Sequence, residues 1–205
     1  DRGLAGAFNS AVLKRAEALV ISREGEFESM GLTLIGKKAG DFFKRRRPSQ
    51  ISESRPVGPN VNYLEAQQVA SMLMKRFEDG DVDQVAIVNS EFVSTMTQRP
   101  SAKLLLPFMP EDLEEGEDER LPYEIEPSAE KLLAILVPKA VEVEVYRALL
   151  ENQAGEHAAR MTAMESATKN TEELIEKLTL ESNRARQAAI TRELVEIVTG
   201  AQALE

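Results

Sequence analysis

After Pro138 the sequence contains no further proline, and the only glycines beyond it are Gly155 and Gly200. Proline is the strongest helix breaker and glycine the next, so this run predicts one uninterrupted helix to the C-terminus. At 1.5 Å per residue it would be about 100 Å long, several times what a globular domain covers. Such a helix needs a partner along its length. Leu150, Ala154, His157, Met161, Met164, Thr168, Thr171, Ile175, Leu178, Ser182, Ala185 and Ala189 keep the alternating three-four spacing of a coiled-coil seam. Several are small or polar, so the seam is weaker than a leucine zipper. Near the end the apolar residues shift to Ile190, Leu194, Ile197 and Val198, as in a tip that enters an enclosure.

Upstream the pattern is shorter and mixed. Residues 1–9 read as a glycine-containing loop leading into a helix with Val12, Ala16, Leu19 and Val20 on one face and Asn9 or Ser10 as N-cap. Gly31 to Ile35 reads as a strand and Gly40 to Arg47 as a short basic helix, with 48–60 as a Ser/Pro-rich loop. Tyr63 to Phe77 carries the helical stripe Val69, Met72, Leu73 and Phe77, with Arg76 snorkelling beside it. Val82 to Val93 is apolar on both alternations, which predicts a central strand covered by helices on each side. Ala102 to Leu106 and Tyr123 to Glu126 read as further strands, the second at an edge, and Ser128 opens the long helix, which Pro138 either kinks or restarts. The expectation is a small Rossmann-like α/β layered domain over 1–127, incomplete at its first strand, followed by a long coiled-coil helix over 128–205.

Composition narrows the function. The net charge of −10 disfavours general nucleic-acid binding, where phosphate neutralisation dominates affinity. Charge is nevertheless uneven: Lys37, Lys38, Lys44, Arg45, Arg46 and Arg47 form a basic cluster, and Glu111 to Glu119 an acidic one. With no cysteine, disulfides, thiol nucleophiles and Cys-based metal sites are excluded. His157 is the only histidine, and on a helix seam it reads as packed or solvated. Neither GxGxxG nor GxxxxGK[ST] occurs. Glu142 with Glu144, and Glu172 with Glu173, read as helix-surface charges, and Ser90 and Ser94 have no recognisable activating base near them in sequence. No residue pattern supports catalysis, and no cofactor or metal is expected. No apolar run approaches the roughly 20 residues of a membrane span, so any membrane association is peripheral.

Three segments resemble the gamma subunit of the F-type ATP synthase. DRGLAGAFN at 1–9 is similar to that family's S-D-R-G-L-C-G-x-x-N segment, with Ala5 for the frequent Cys and Ala7 for a frequent Gly. NSEFVSTMTQRPSAKLLLP at 89–107 is similar to its N-E-F-V-S-x-M-x-Q-x-P strand and hairpin. ENQAGEHAARMTAMESATKN and NRARQAAITRELVEIV, between Glu151 and Leu204, resemble its C-terminal signature. The resemblance implies a central-stalk rotor that couples proton-driven rotation to conformational cycling of catalytic sites on other subunits, itself non-catalytic. It implies partners in the alpha and beta subunits of the catalytic ring, the epsilon subunit and the membrane c-ring, and no nucleic acid. It also implies a peripheral place at the cytoplasmic face of a bacterial plasma membrane; the family's thiol-regulated plastid insertion is not apparent. By motif position, Arg160, Gln187 and Thr191 look like the polar shaft residues that engage catalytic-subunit loops.

The family has a long helix and a strand ahead of the segment that begins here at Asp1, and the expectation is an N-terminally truncated chain. Its seam would then be covered by that N-terminal helix or, in the isolated fragment, by self-association. The alternative reading is a coiled-coil scaffold with a non-catalytic α/β domain, which predicts no affinity for a hexameric ATPase. A nucleotide-binding Rossmann enzyme would instead bind nucleotide by itself.

Overall fold

The computed structural model describes residues 3–58, 60–108, 126 and 128–202. Two compact units form, Asp1–Met161 and Thr162–Glu205. The elements in chain order are α1 (Phe8–Arg23), β1 (Leu32–Ile35), α2 (Lys37–Arg46), a 3-10 turn (Pro48–Gln50), β2 (Ile51–Arg55), α3 (Tyr63–Glu78), β3 (Val85–Phe92), β4 (Gln98–Leu106) and α4 (Ala129–Gln202). This is the expected mixed α/β class with a long C-terminal helix.

Among the described residues of the first unit the sheet structure is two separate ladders, β1 with β2 in parallel and β3 with β4 antiparallel. Three expectations change here. Residues 48–60 are not all loop, because Ile51, Glu53 and Arg55 alternate with exposed Ser52 and Ser54 to make β2. The serines that suggested a loop are simply its outward positions. Second, β3 is not central: among the described residues it pairs only with β4, and Ala86 is exposed. Third, α1 starts at Phe8, which puts Asn9 and Ser10 inside the helix rather than at its cap. A turn with Leu4 at φ 64° and Gly6 at φ 53° brings the chain round early, and the Ser10 hydroxyl donates to the Ala7 carbonyl at 2.8 Å. Of the proposed edge strand, Tyr123 to Ile125 lie outside the described residues, as do the acidic run 111–119 and Pro127.

One core holds the unit together. Ala66, Val69 and Ala70 of α3 meet Leu105 and Leu106 of β4 and Val141 and Val145 of α4. Asn62 caps α3, its side-chain oxygen accepting from the Glu65 amide at 2.8 Å. The Ser128 hydroxyl accepts from the Lys131 amide at 3.3 Å at the start of α4. Pro138 interrupts nothing: α4 runs through it as one helix. The missing hydrogen bond falls beside exposed Ala134, where water can serve the freed carbonyl. Asn89, in the second motif segment, donates to Glu151 in the third at 3.4 Å and accepts from Ser101 at 3.2 Å. With Gly155 of the third segment against Phe8 of the first and Gln98 of the second, all three sequence segments meet in space.

On α4 in this unit, Val141, Val145, Ala148, Gly155 and Ala158 form the buried stripe. Leu150, Ala154, His157 and Met161, the first part of the sequence seam, are exposed. At 100° per residue the two stripes lie about 145° apart. The helix therefore spends one apolar face on its own core and leaves the other uncovered.

The second unit is the remainder of α4. Every residue from Met164 to Gly200 is exposed. Leu174, Ile175, Leu178, Ile190, Leu194, Ile197 and Val198 each leave more than half of their surface in solvent.

Candidate interaction surface of the long helix

Of the three residues singled out by sequence, Arg160 lies in the first unit and is half-buried. Its guanidinium ion-pairs with Glu156 one turn earlier, reaches the Gly3 carbonyl at 3.4 Å and approaches His157 Nδ1 at 3.5 Å. These contacts tie α4 to the loop in which Leu4 sits at positive φ with 74% of its surface exposed. Arg160 thus has intramolecular work as well as any intermolecular role. Its lone histidine neighbour is solvated, one of the two states expected for it.

Gln187 and Thr191 lie in the second unit, four residues apart and so on one helix face. The structure does not bring them together with Arg160. Threonine chemistry distinguishes Thr191. The hydroxyls of Thr168, Thr171, Thr179 and Thr199 each bond the carbonyl one turn back, at 2.7–3.0 Å. That satisfies their polar atoms and turns their methyls outward, which suits Thr168 and Thr171 to a seam. Among the described residues, neither Thr191 nor Gln187 makes a side-chain bond, which leaves a hydroxyl and an amide for an outside partner.

Sequence reasoning misplaced one carboxylate. Glu142 is buried, with 9% of its surface exposed, and is not a surface charge. Tyr63 donates its hydroxyl to one Glu142 oxygen and Gln67 its amide to the other at 3.2 Å, while Lys139 reaches Glu142 at 3.3 Å and the Tyr63 hydroxyl at 2.5 Å. The Lys139 ammonium also stands 4.4 Å from the Tyr63 ring centre, and Tyr146 meets that ring edge-on. The Tyr63 hydrogen bond, against the opposing effect of burial, holds the Glu142 carboxyl below its ordinary value. The same phenol raises Lys139. Helical spacing hinted at this: Tyr63 with Gln67 on α3 and Lys139 with Glu142 on α4 are each one turn apart. Only the fold shows that the two pairs face each other, so the group fastens α4 to α3.

Nothing in this geometry resembles an active site. The Ser94 hydroxyl accepts from the Thr97 amide at 3.1 Å within the hairpin turn, and Ser90 is buried with no partner for its oxygen among the described residues. Among the described residues no group of acidic or histidine side chains is placed to hold a metal ion, and no helix is long and apolar enough to cross a membrane.

A small α/β body carrying a long helix with uncovered apolar and polar faces defines an interaction subunit of a larger assembly. Comparison with known proteins names the assembly. The sequence model of the ATP synthase family matches residues 1–204. The ATP synthase gamma chains of Pelotomaculum thermopropionicum and Symbiobacterium thermophilum are each 44% identical over 205 residues, covering all of this chain and 71% and 70% of theirs. Mitochondrial ATP synthase structures share the fold. A chain of the Euglena gracilis OSCP/F1/c-ring structure matches with a TM-score of 0.65 at 20% identity, over all of this chain and 70% of that one. A chain of the Tetrahymena thermophila central stalk/c-ring structure matches with 0.64 at 24%, over 82% and 72%. The chain belongs to the ATP synthase gamma-chain family, non-catalytic subunits of the ATP synthase complex, as its three motif segments imply.

Proposed function

We propose that the chain is the central-stalk rotor of an ATP synthase and that α4 is its shaft. The observation that carries this reading is the exposure of every residue from Met164 to Gly200, a stretch rich in leucine, isoleucine and valine. An isolated helix that leaves so much apolar surface in water is unfinished without partners. The partners that fit are the alpha and beta subunits of the catalytic ring around the shaft, and an N-terminal helix of the gamma chain along its seam. The α/β domain, taken as 1–127 with the long helix as 128–205, would sit towards the epsilon subunit and the c-ring, peripheral to the membrane.

The mechanism is differential contact. A shaft bearing different side chains around its circumference favours a different conformation of each catalytic subunit it faces, and turning it redistributes those preferences. Gln187 and Thr191 have the chemistry for such contacts, because neutral hydrogen bonds form and break at modest cost. Arg160 can add a charge-assisted bond to an acidic loop only by sharing or exchanging its Glu156 partner.

The test is reconstitution. The chain, extended to the full length of its Pelotomaculum relative, is co-expressed with the catalytic-ring subunits. A stable complex with ATPase activity supports the reading, and failure to assemble overturns it in favour of a scaffold.

A further inference from the structure

We propose that the outward face of α2 is a docking surface for anionic lipid headgroups. α2 buries Gly40 and Phe43. On the other side Lys37, Lys38, Asp41, Lys44 and Arg45 are all exposed. At 100° per residue these five fall within an arc of about 120°. Lys37 has a contact of its own; the other three cations around one carboxylate leave a net charge of two positive units on one side of one helix, in a chain whose total is −10. Neighbouring cations are used differently. Arg46 pairs with Glu17 of α1 at 3.3 Å and stacks on Phe42, and Arg47 pairs with Glu24 at 2.6 Å. So the end of α2 is neutralised from α1, while Lys38, Lys44 and Arg45 make no ion pair among the described residues.

An anionic membrane fits this surface better than RNA does. Nucleic-acid affinity comes from many phosphate contacts along a groove and from bases stacked on exposed aromatic rings. Here the charge is confined to about three helical turns, Phe43 is buried, and Phe42 lies under the Arg46 guanidinium with its ring edge on Phe43. A planar sheet of fixed negative charge needs neither groove nor ring. Each lysine or arginine brought to such a surface raises partitioning by about fivefold.

The inference rests on the peripheral placement proposed above and is tested apart from it. The whole chain is sedimented with vesicles of phosphatidylglycerol and phosphatidylcholine, or of phosphatidylcholine alone, at low and physiological salt, and titrated in parallel with single-stranded RNA. Binding is expected to the anionic vesicles only, and to weaken as salt rises. The triple variant K38Q/K44Q/R45Q should bind about a hundredfold less, whereas K169Q/K177Q/R184Q on α4 should bind like the unaltered chain. Asp41→Asn should bind about fivefold more, a gain that unfolding does not produce. Equal binding of both triple variants, no gain from Asp41→Asn, or tighter binding to RNA than to anionic vesicles overturns the inference. So does a chain that assembles into an active complex but ignores the vesicles, an outcome that leaves the rotor reading standing.

Discussion

Gly155 of α4 lies against the ring of Phe8 at the start of α1, so close that a Cβ added to the glycine would come within 2.7 Å of Phe8 Cε2. Phe8 is itself buried, and Gln98 of β4 closes the site at 3.3 Å. This is why a mid-helix glycine, worth about 1 kcal/mol less than alanine for helix formation, is used here. Gly155→Ala is expected to destabilise the first unit by about 1–2 kcal/mol, because overpacking a filled site outweighs the helix gain. Urea unfolding checks this, and Phe8→Leu in the same chain should recover part of the loss. Gly200 has open space around it, so Gly200→Ala should stabilise or do nothing.

The Tyr63–Glu142 bond gives a pH signature. Glu142 titrates below its ordinary 4.5 in the folded chain, so its contribution is complete above that value and is lost as pH falls through the lower folded value. Lys139 titrates above its ordinary 10.5, so its contribution is complete below that value and is lost only as pH rises through the higher folded one. The fastening between α3 and α4 is therefore intact across the neutral range. Tyr63→Phe should cost about 2 kcal/mol at pH 7, since a hydrogen bond to a buried carboxylate is removed. The difference between the two chains should shrink once Glu142 is protonated. Thermal unfolding followed from pH 7 down through the acid range measures both.

Much of this was legible from residue spacing, and the failures share a cause. Proline and glycine placement revealed α4, and helical periodicity revealed α3, because those signals are local. Whether Glu142 faces water or Tyr63 depends on residues about 80 positions apart, which no local pattern encodes. β2 was hidden because a short strand with serines on its outward side has the composition of a loop. β3 looked central because both its faces are apolar, yet strand pairing is a non-local property. At the candidate site, motif positions singled out Arg160, Gln187 and Thr191. Only the structure separates an arginine with partners in its own chain from two side chains that make no bond among the described residues.

That separation has a consequence for mutants. Gln187→Ala and Thr191→Ala remove no packing and no bond within the described residues, so thermal stability should stay within about 0.5 kcal/mol of the parent. Coupled ATP turnover of the reconstituted complex should nevertheless fall. Arg160→Ala should lower both, with about 1 kcal/mol of stability lost from its contacts to Glu156 and Gly3. Parallel measurement of unfolding and ATPase activity distinguishes the cases. Loss of assembly in step with activity for Gln187→Ala would remove it from the contact surface.

The exposed stripe of the second unit makes a prediction about the chain alone. Ile175 and Leu178 leave 58% and 53% of their surfaces in water, and Leu174 a similar share. Burying such side chains is worth about 1.5–3 kcal/mol each, and the threonines at the seam have already satisfied their hydroxyls internally. A second copy of the helix is the nearest available cover in a purified sample. The isolated chain is therefore expected to self-associate, with sedimentation showing a mass that rises with concentration. Replacing Ile175 and Leu178 with glutamate puts charge into the seam and should return it to monomer. The same double variant should lose helicity over 164–200 by hydrogen exchange, since a single long helix gains most of its stability from packing. A monomeric parent chain with strong exchange protection along this stretch would show that the helix needs no partner, against the proposed design of the shaft.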